Sequence, residues 1–202
     1  MTKDWTGNTK STWAALAASN HSDSERETND YYATDPKALD KFLQKANEDG
    51  LQLNEPLWEC ACGEGHLSRC LEKHGYKVIS SDLIDRGFGK TNVDFLKTEF
   101  LWGGDIITNP PYKYAQEFVE HALKLAENGK QIIMFLKIQF LEGKKRAKLF
   151  KQKNLKFVYV HSERQICAIN GDFGKIKSSA SCYCWFVWQK GYVGEPKVRW
   201  IT

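Results

Sequence analysis

The chain has 202 residues, of which 42% are hydrophobic and 27% charged, a size and balance that suit one soluble domain with a sizeable core. Its formal net charge of +4 permits an anionic partner such as nucleic acid without requiring one. No apolar run is long enough to span a bilayer and the polar N-terminus shows no secretion signal, so a cytoplasmic protein without a membrane partner is expected.

Residues 1–30 are polar and irregular, apart from the short helix candidate "STWAALAAS". They read as an N-terminal arm preceding a domain over residues 31–202. Strands and helices then alternate. "TDPKALDKFLQKANEDG" predicts a helix with Asp35 as N-cap, Pro36 in its first turn and Gly50 at its end. Leu39, Phe42, Leu43 and Ala46 share its apolar face. "PLWECAC" predicts a strand, "HLSRCLEKHG" a helix ended by Gly75, "YKVISSDL" a second strand and "NVDFL" a short third one. "GDIITNPP" is the fourth strand, "KYAQEFVEHALKLAENG" an amphipathic helix, "KQIIMFLKI" the fifth strand and "GKKRAKLFKQK" a basic helix. "KFVYVHS" and "SCYCWFVWQK" are the last two strands.

This alternation predicts a single-domain α/β fold: a mostly parallel seven-stranded sheet, right-handed crossovers and helices on both faces. About twenty residues without helical periodicity separate the last two strands, which predicts a terminal antiparallel hairpin. Their connection, "ERQICAINGDFGKIKSSA", is too long for a mere connector and is expected to serve function.

The six cysteines include two Cys-x-Cys pairs, Cys60/Cys62 and Cys182/Cys184. Both pairs lie in or beside apolar strands, where a reduced cysteine acts as a small hydrophobe, so no metal site is expected. The five histidines show neither metal-binding nor catalytic spacing.

Two stretches carry chemistry. In "ECACGEGHLS", Gly63 and Gly65 stand between a strand and a helix, as in a nucleotide-binding turn. A dinucleotide site has a third glycine where this chain has Ser68. Glu59, before the glycines, suits a ligand bearing an ammonium group. Asp82, at the end of the second strand, suits a pair of ribose hydroxyls. Together these features describe S-adenosylmethionine better than a nicotinamide dinucleotide.

The second stretch is "DIITNPPY". Pro110 and Pro111 have fixed φ and no N–H, so their carbonyls remain as acceptors. Asn109 and the Pro110 carbonyl thus present two acceptors, with Tyr112 as an aromatic face, which suits a planar ring carrying an exocyclic amine. Bonds to that amine localise its lone pair for attack on a methyl sulfonium, so positioning and electrostatics do the chemistry. Ligands of open parallel sheets bind beyond the carboxyl ends of the strands, so both stretches should face one cleft.

"DYYATDP", "ECACGEG", "SSDL", "VDFL" and "NPPY" together resemble the class I S-adenosylmethionine-dependent methyltransferases that act on adenine N6 in DNA, most of all their small phage or mobile-element forms. The resemblance covers most of residues 31–190. It implies S-adenosylmethionine as cofactor, with S-adenosylhomocysteine as product. Tyr32, Thr34 and Pro36 would cover the methionine moiety, and Glu59, Cys60, Ala61, Gly63 and Gly65 would line it. Asp82 and Leu83 would hold the ribose, and Asp94 and Phe95 the cofactor adenine. Asn109, Pro110, Pro111 and Tyr112 would take the target amine, Asn109 also bordering the cofactor. Asn109 in place of Asp also occurs in relatives that methylate guanine N2 in RNA or glutamine amides in proteins, so an RNA or protein acceptor stays open, as does a non-catalytic nucleic-acid-binding module. The resemblance implies bacterial or phage-infected cytosol as location, and DNA as the partner. It leaves open whether the protein is a monomer or a dimer.

A DNA enzyme of this kind extrudes the target base and draws affinity from phosphate contacts. The phosphate candidates are Lys144, Lys145 and Arg146 on the basic helix, with Arg164, Lys175 and Lys177 in the long loop, whose Asn170 and Phe173 would enter a groove or stack on a base.

Overall fold

The computed structural model describes residues 32–165, 167–169 and 181–202. The expected N-terminal arm lies outside the described residues, as do Asn170, Phe173, Lys175 and Lys177. The strands are β1 (Tyr32–Thr34), β2 (Leu57–Glu59), β3 (Val78–Ser80), β4 (Ile106–Thr108), β5 (Gln131–Lys137), β6 (Leu155–His161), β7 (Cys167–Ile169), β8 (Tyr183–Gln189) and β9 (Lys197–Ile201). The α-helices are α1 (Pro36–Glu48), α2 (His66–Lys73), α3 (Ala115–Leu125) and α4 (Ala147–Lys151).

Seven strands form one sheet in the order β3-β2-β4-β5-β8-β6-β9. Only β8 runs antiparallel to its neighbours, inserted between β5 and β6. The expected antiparallel pairing of the last two predicted strands is therefore present as β6 and β8. Both faces of β8 are covered, and its alternating side chains feed two cores. Cys184, Phe186 and Trp188 pack with Ile132, Met134 and Leu136 under α3, whose face supplies Phe118, Val119, Ala122 and Leu123. Tyr183, Trp185 and Val187 pack with Ile133 and Phe135 under α1 and α2, which supply Leu39, Phe42, Leu67 and Leu71. Trp185 stacks on Phe42 at 4.9 Å and donates its indole N–H to the Ala38 carbonyl, so this inner strand pins α1. The two-sided apolar pattern of a fully buried strand follows from this position.

The sheet contains seven strands, but not the seven read from the sequence. "NVDFL" forms no strand. Asn92 takes φ of +58°, a left-handed conformation that asparagine tolerates, and Asp94 caps a 3-10 turn over Phe95–Lys97 by accepting from Leu96 N at 3.1 Å. The seventh strand is instead β9, parallel to β6. The basic segment is also less helical than expected: Lys144–Arg146 form a 3-10 turn before the short α4. A second, two-stranded sheet pairs β1 with β7, with Thr34 opposite Cys167.

Opposite the cleft, Asp105 ties the entry ends of the strands together. It is fully buried and accepts from Asn54 N (2.7 Å), Gln131 N (2.7 Å), Gln131 Nε2 (2.9 Å) and Asn54 Nδ2 (3.1 Å). Replacing it with alanine removes the acceptor of all four, leaving Gln131 N stranded in the core and Asn54 half-buried, while Gln131 Nε2 keeps the Gln52 carbonyl. Asp105→Ala is expected to cost at least about 3 kcal/mol, read as a lower urea midpoint with an unchanged slope.

Candidate active site

The sheet order places the switch point between β2 and β4, because the chain goes from β2 to β3 on one side and then crosses to β4 on the other. A cavity of about 410 Å³ opens at the carboxyl ends of these strands, within the usual range for small-ligand sites. Its lining brings together Thr34, Glu59, Cys60, Ala61, Asp82, Leu83, Asp94, Phe95, Asn109, Pro110 and Pro111. The two stretches singled out in the sequence thus face one cleft.

Each is held by a local device. Beyond β2 the chain turns sharply through Gly63 and Gly65, at φ of +54° and +81°. A Cβ on Gly65 would stand 2.4 Å from the Phe88 ring. Neither glycine lines the cavity; they shape its wall. Gly63 N donates to Asp82 Oδ2 at 2.7 Å and Ile84 N donates to Asp82 Oδ1 at 2.9 Å. The Asp82 carboxylate is thereby locked at the rim of the cavity, and each oxygen keeps a lone pair for a further donor.

Glu59 is 2% exposed. Ser68, standing where a dinucleotide site has its third glycine, donates its hydroxyl to Glu59 Oε2 and lies 2.6 Å from Ser80 Oγ. The serine is the partner of the acid, which explains why a glycine does not stand there. Burial pushes the Glu59 carboxyl up to about 8; the Ser68 bonds work against that shift, and the nearby Asp82 and Glu72 charges add to it. A carboxyl at the floor of a cavity in this state is primed to ionise against a cationic ligand group.

The Asn-Pro-Pro-Tyr corner leaves β4 directly. Asn109 Nδ2 donates to Thr34 Oγ1 at 2.9 Å, so the amide nitrogen faces β1. Thr34 is buried at 2% exposure and is held by the β1–β7 ladder. Tyr112 does not line the cavity. It begins a 3-10 turn and packs against both cores, 6.1 Å from the Tyr183 ring, with Lys137 Nζ 5.4 Å from its own ring centre. Pro36 starts α1 and does not line the cavity, and Tyr32 starts β1.

The cavity also takes in Cys62, His66, Arg86, Lys113, Tyr114 and Phe118, none of which was expected at the cleft from the sequence. Phe118 was legible only as an apolar position of α3. It is 4.9 Å from the Phe95 ring and completes an aromatic wall. Arg86 lies in the loop after Asp82, for which periodicity offers no signal.

The predicted nucleic-acid contacts divide. Lys144, Lys145 and Arg164 are exposed. Arg146 is committed internally: its guanidinium donates to the carbonyls of Phe140 (2.8 Å), Gln139 (3.3 Å) and Glu142 and covers the Phe140 ring at 4.9 Å. It closes the turn over Ile138–Leu141, which leaves only the remaining terminal nitrogen of its guanidinium for an outside partner. No helix among the described residues is long and apolar enough to cross a membrane.

No protein-family model matches this sequence, and no curated protein matches it. Solved structures share its fold. A protein assigned as a class I S-adenosylmethionine-dependent methyltransferase from Listeria monocytogenes superposes with a TM-score of 0.59 at 14% identity, over 94% of this chain and 71% of that one. A protein from Pyrococcus horikoshii assigned as an RNA methyltransferase gives 0.58 at 14% identity, over 91% of this chain and 99% of the other. A protein assigned as the modification subunit of a type I restriction enzyme from Vibrio vulnificus gives 0.57 at 12% identity, over 96% of this chain and 50% of that one. The chain has the Rossmann-like fold of class I methyltransferases, with its cavity at the switch point of the sheet.

Proposed function

We propose that this protein transfers a methyl group from S-adenosylmethionine to the exocyclic N6 amine of adenine in DNA. The observation that carries the reading is the meeting, in one cavity, of the Asn109–Pro110–Pro111 corner from β4 with Glu59 and Asp82 from β2 and β3. The residues present fit the cofactor: a buried carboxyl for an ammonium, a locked carboxylate for ribose hydroxyls, and an apolar wall of Leu83, Ile84, Phe95 and Phe118 for a purine. When bound there, the cofactor supplies an electrophilic methyl group.

The chain's own residues do the rest. The Asn109 side-chain oxygen and the Pro110 carbonyl accept from the target amine and favour its pyramidal form. The bond to Thr34 holds the nitrogen end of the Asn109 amide away from that role. Tyr112, half-buried against both cores and next in the chain to the cavity-lining Pro111, would take the extruded base on the part of its ring that stays exposed. Lys144, Lys145 and Arg164 contact the phosphates; Asn170, Phe173, Lys175 and Lys177, expected to join them, lie outside the described residues.

The test is transfer of label from methyl-labelled cofactor to DNA, RNA and protein in parallel. Label recovered as N6-methyladenine in DNA supports the reading. Label in RNA or protein but not DNA overturns the substrate while keeping the enzyme class. Absence of cofactor binding in calorimetry overturns both.

A further inference from the structure

Away from the cleft, α1 and α2 meet along a seam where three side chains of different chemistry converge. Cys70 lies on α2 and His74 caps its C-terminus; spaced i and i+4, they stand one above the other on one face. Asp40 approaches from α1. Its Oδ1 is 3.2 Å from Cys70 Sγ and 2.7 Å from His74 Nε2. The three ligand atoms all lie within 4.8 Å of one another.

We propose that Asp40, Cys70 and His74 form a binding site for a thiophilic divalent cation, zinc being the natural occupant, separate from the methyl-transfer cleft. Zinc bonds of about 2.0–2.3 Å in a tetrahedron set ligand atoms roughly 3.3–3.8 Å apart. The three atoms need shifts of an ångström or less from most of their present separations, and the side chains that must give are the accessible ones. Asp40 and His74 have 49% and 40% side-chain exposure, whereas Cys70 is only 7% exposed and is the fixed point.

Charge and donor type agree with that choice. The thiol now donates to Asp40, so it carries its proton. A metal–sulfur bond would form as the S–H proton leaves to solvent. Thiolate, carboxylate and neutral imidazole then sum to two negative charges, which balances a divalent ion. One sulfur, one nitrogen and one oxygen select a borderline-soft cation over magnesium or calcium, which need all-oxygen shells. Lys73 and Lys41 stand beside the trio, so the site does not gather cations by bulk negative charge; only a cation that gains from the thiolate has reason to stay. Asp40 and His74 also line a second groove, of about 650 Å³, leaving room for water as a fourth ligand. Bound metal would clip α1, which follows directly from the Thr34 strand, to α2, which follows the glycine turn.

The test is a cobalt(II) titration of the full-length, metal-stripped protein, followed by displacement with zinc. One equivalent should bind, with a sulfur-to-cobalt charge-transfer band and the intense visible bands of a tetrahedral site, both abolished by zinc. Cys70→Ala should lose the charge-transfer band, and His74→Gln, a change at an accessible position, should weaken zinc binding at least about tenfold. Cys182→Ala, a control thiol elsewhere, should change neither. The proposal is overturned by absence of the band, by its survival in Cys70→Ala, by unchanged zinc affinity in His74→Gln, or by retention of less than one equivalent after dialysis. In each of those cases the trio is a hydrogen-bonded strut between two helices.

Discussion

Replacing Asn109 by alanine is expected to lower the methyl-transfer rate by about 10²–10³-fold. The cofactor dissociation constant should change only a few-fold. The split follows from position. Asn109 leaves β4 at the edge of the cavity, whereas Glu59 and Asp82, which hold the cofactor in the proposed function, come from β2, β3 and their following turns. Removing the amide deletes an acceptor for the target amine without touching those carboxylates. Single-turnover transfer and calorimetric cofactor binding on the same variant separate the two effects. Equal loss of both would mean that Asn109 holds the cofactor and not the amine.

Thr34 refines that expectation. Its hydroxyl oxygen accepts from Asn109 Nδ2, so it is a positioning residue for the amide. Thr34→Val keeps the shape of the side chain but leaves the Asn109 nitrogen without this acceptor, and should lower kcat about tenfold or more with KM for the acceptor little changed. Thr34→Ser keeps the hydroxyl and should restore most of the rate. A purely structural role for Thr34 would instead show as lost thermal stability in the valine variant with kcat unaltered.

The second large effect concerns Glu59. Burial raises its folded pKa to about 8 against an ordinary value of 4.5, so the native state binds a proton that the unfolded chain releases. The sign follows directly. Stability from this group is fully present below pH 4.5, falls as pH rises through the interval up to about 8, and stays low above it. The full difference is on the order of 4–5 kcal/mol. Ligand-free protein should therefore lose thermal stability from pH 5 to 8.5, and Glu59→Gln, which cannot ionise, should not show that loss. A matching fall in the glutamine variant would assign the pH dependence to another group.

In the proposed function the same carboxyl would couple cofactor binding to a proton. An α-ammonium, with a pKa of about 7.7–8.0, is charged at pH 6.5–7 and favours ionised Glu59. Calorimetry in buffers of different ionisation enthalpy should record close to one proton released on cofactor binding. Glu59→Gln should release none and bind roughly 10–100-fold more weakly, the worth of a charged hydrogen bond.

Much of the molecule was legible in the amino-acid sequence because short-range physics decided it. Asp35 accepts from Lys37 N and Pro36 stands in the first turn, so α1 begins where the residue types require. The glycines turn the chain between β2 and α2, and the proline pair ends β4 at Asn109, so the polar groups at both ends of the cavity were visible as punctuation of apolar strands. Tertiary structure decided what depends on partners distant in sequence. β1 and β7 are three residues each and carry no pattern of their own; they exist as strands because they pair across more than a hundred residues, and that ladder brings Thr34 to Asn109. "NVDFL" alternates like a strand but is bent by Asn92 and capped by Asp94, while β9, largely exposed, gains its place from pairing with β6. Arg146 reads as a phosphate ligand in a basic run, yet three carbonyls claim its guanidinium. Ser68 differs from a glycine by one hydroxymethyl group, and only the fold shows its hydroxyl reaching Glu59. The residue types of the proposed site were set locally. Their protonation and orientation were set by burial and by bonds that close over long stretches of chain, which no window of sequence contains.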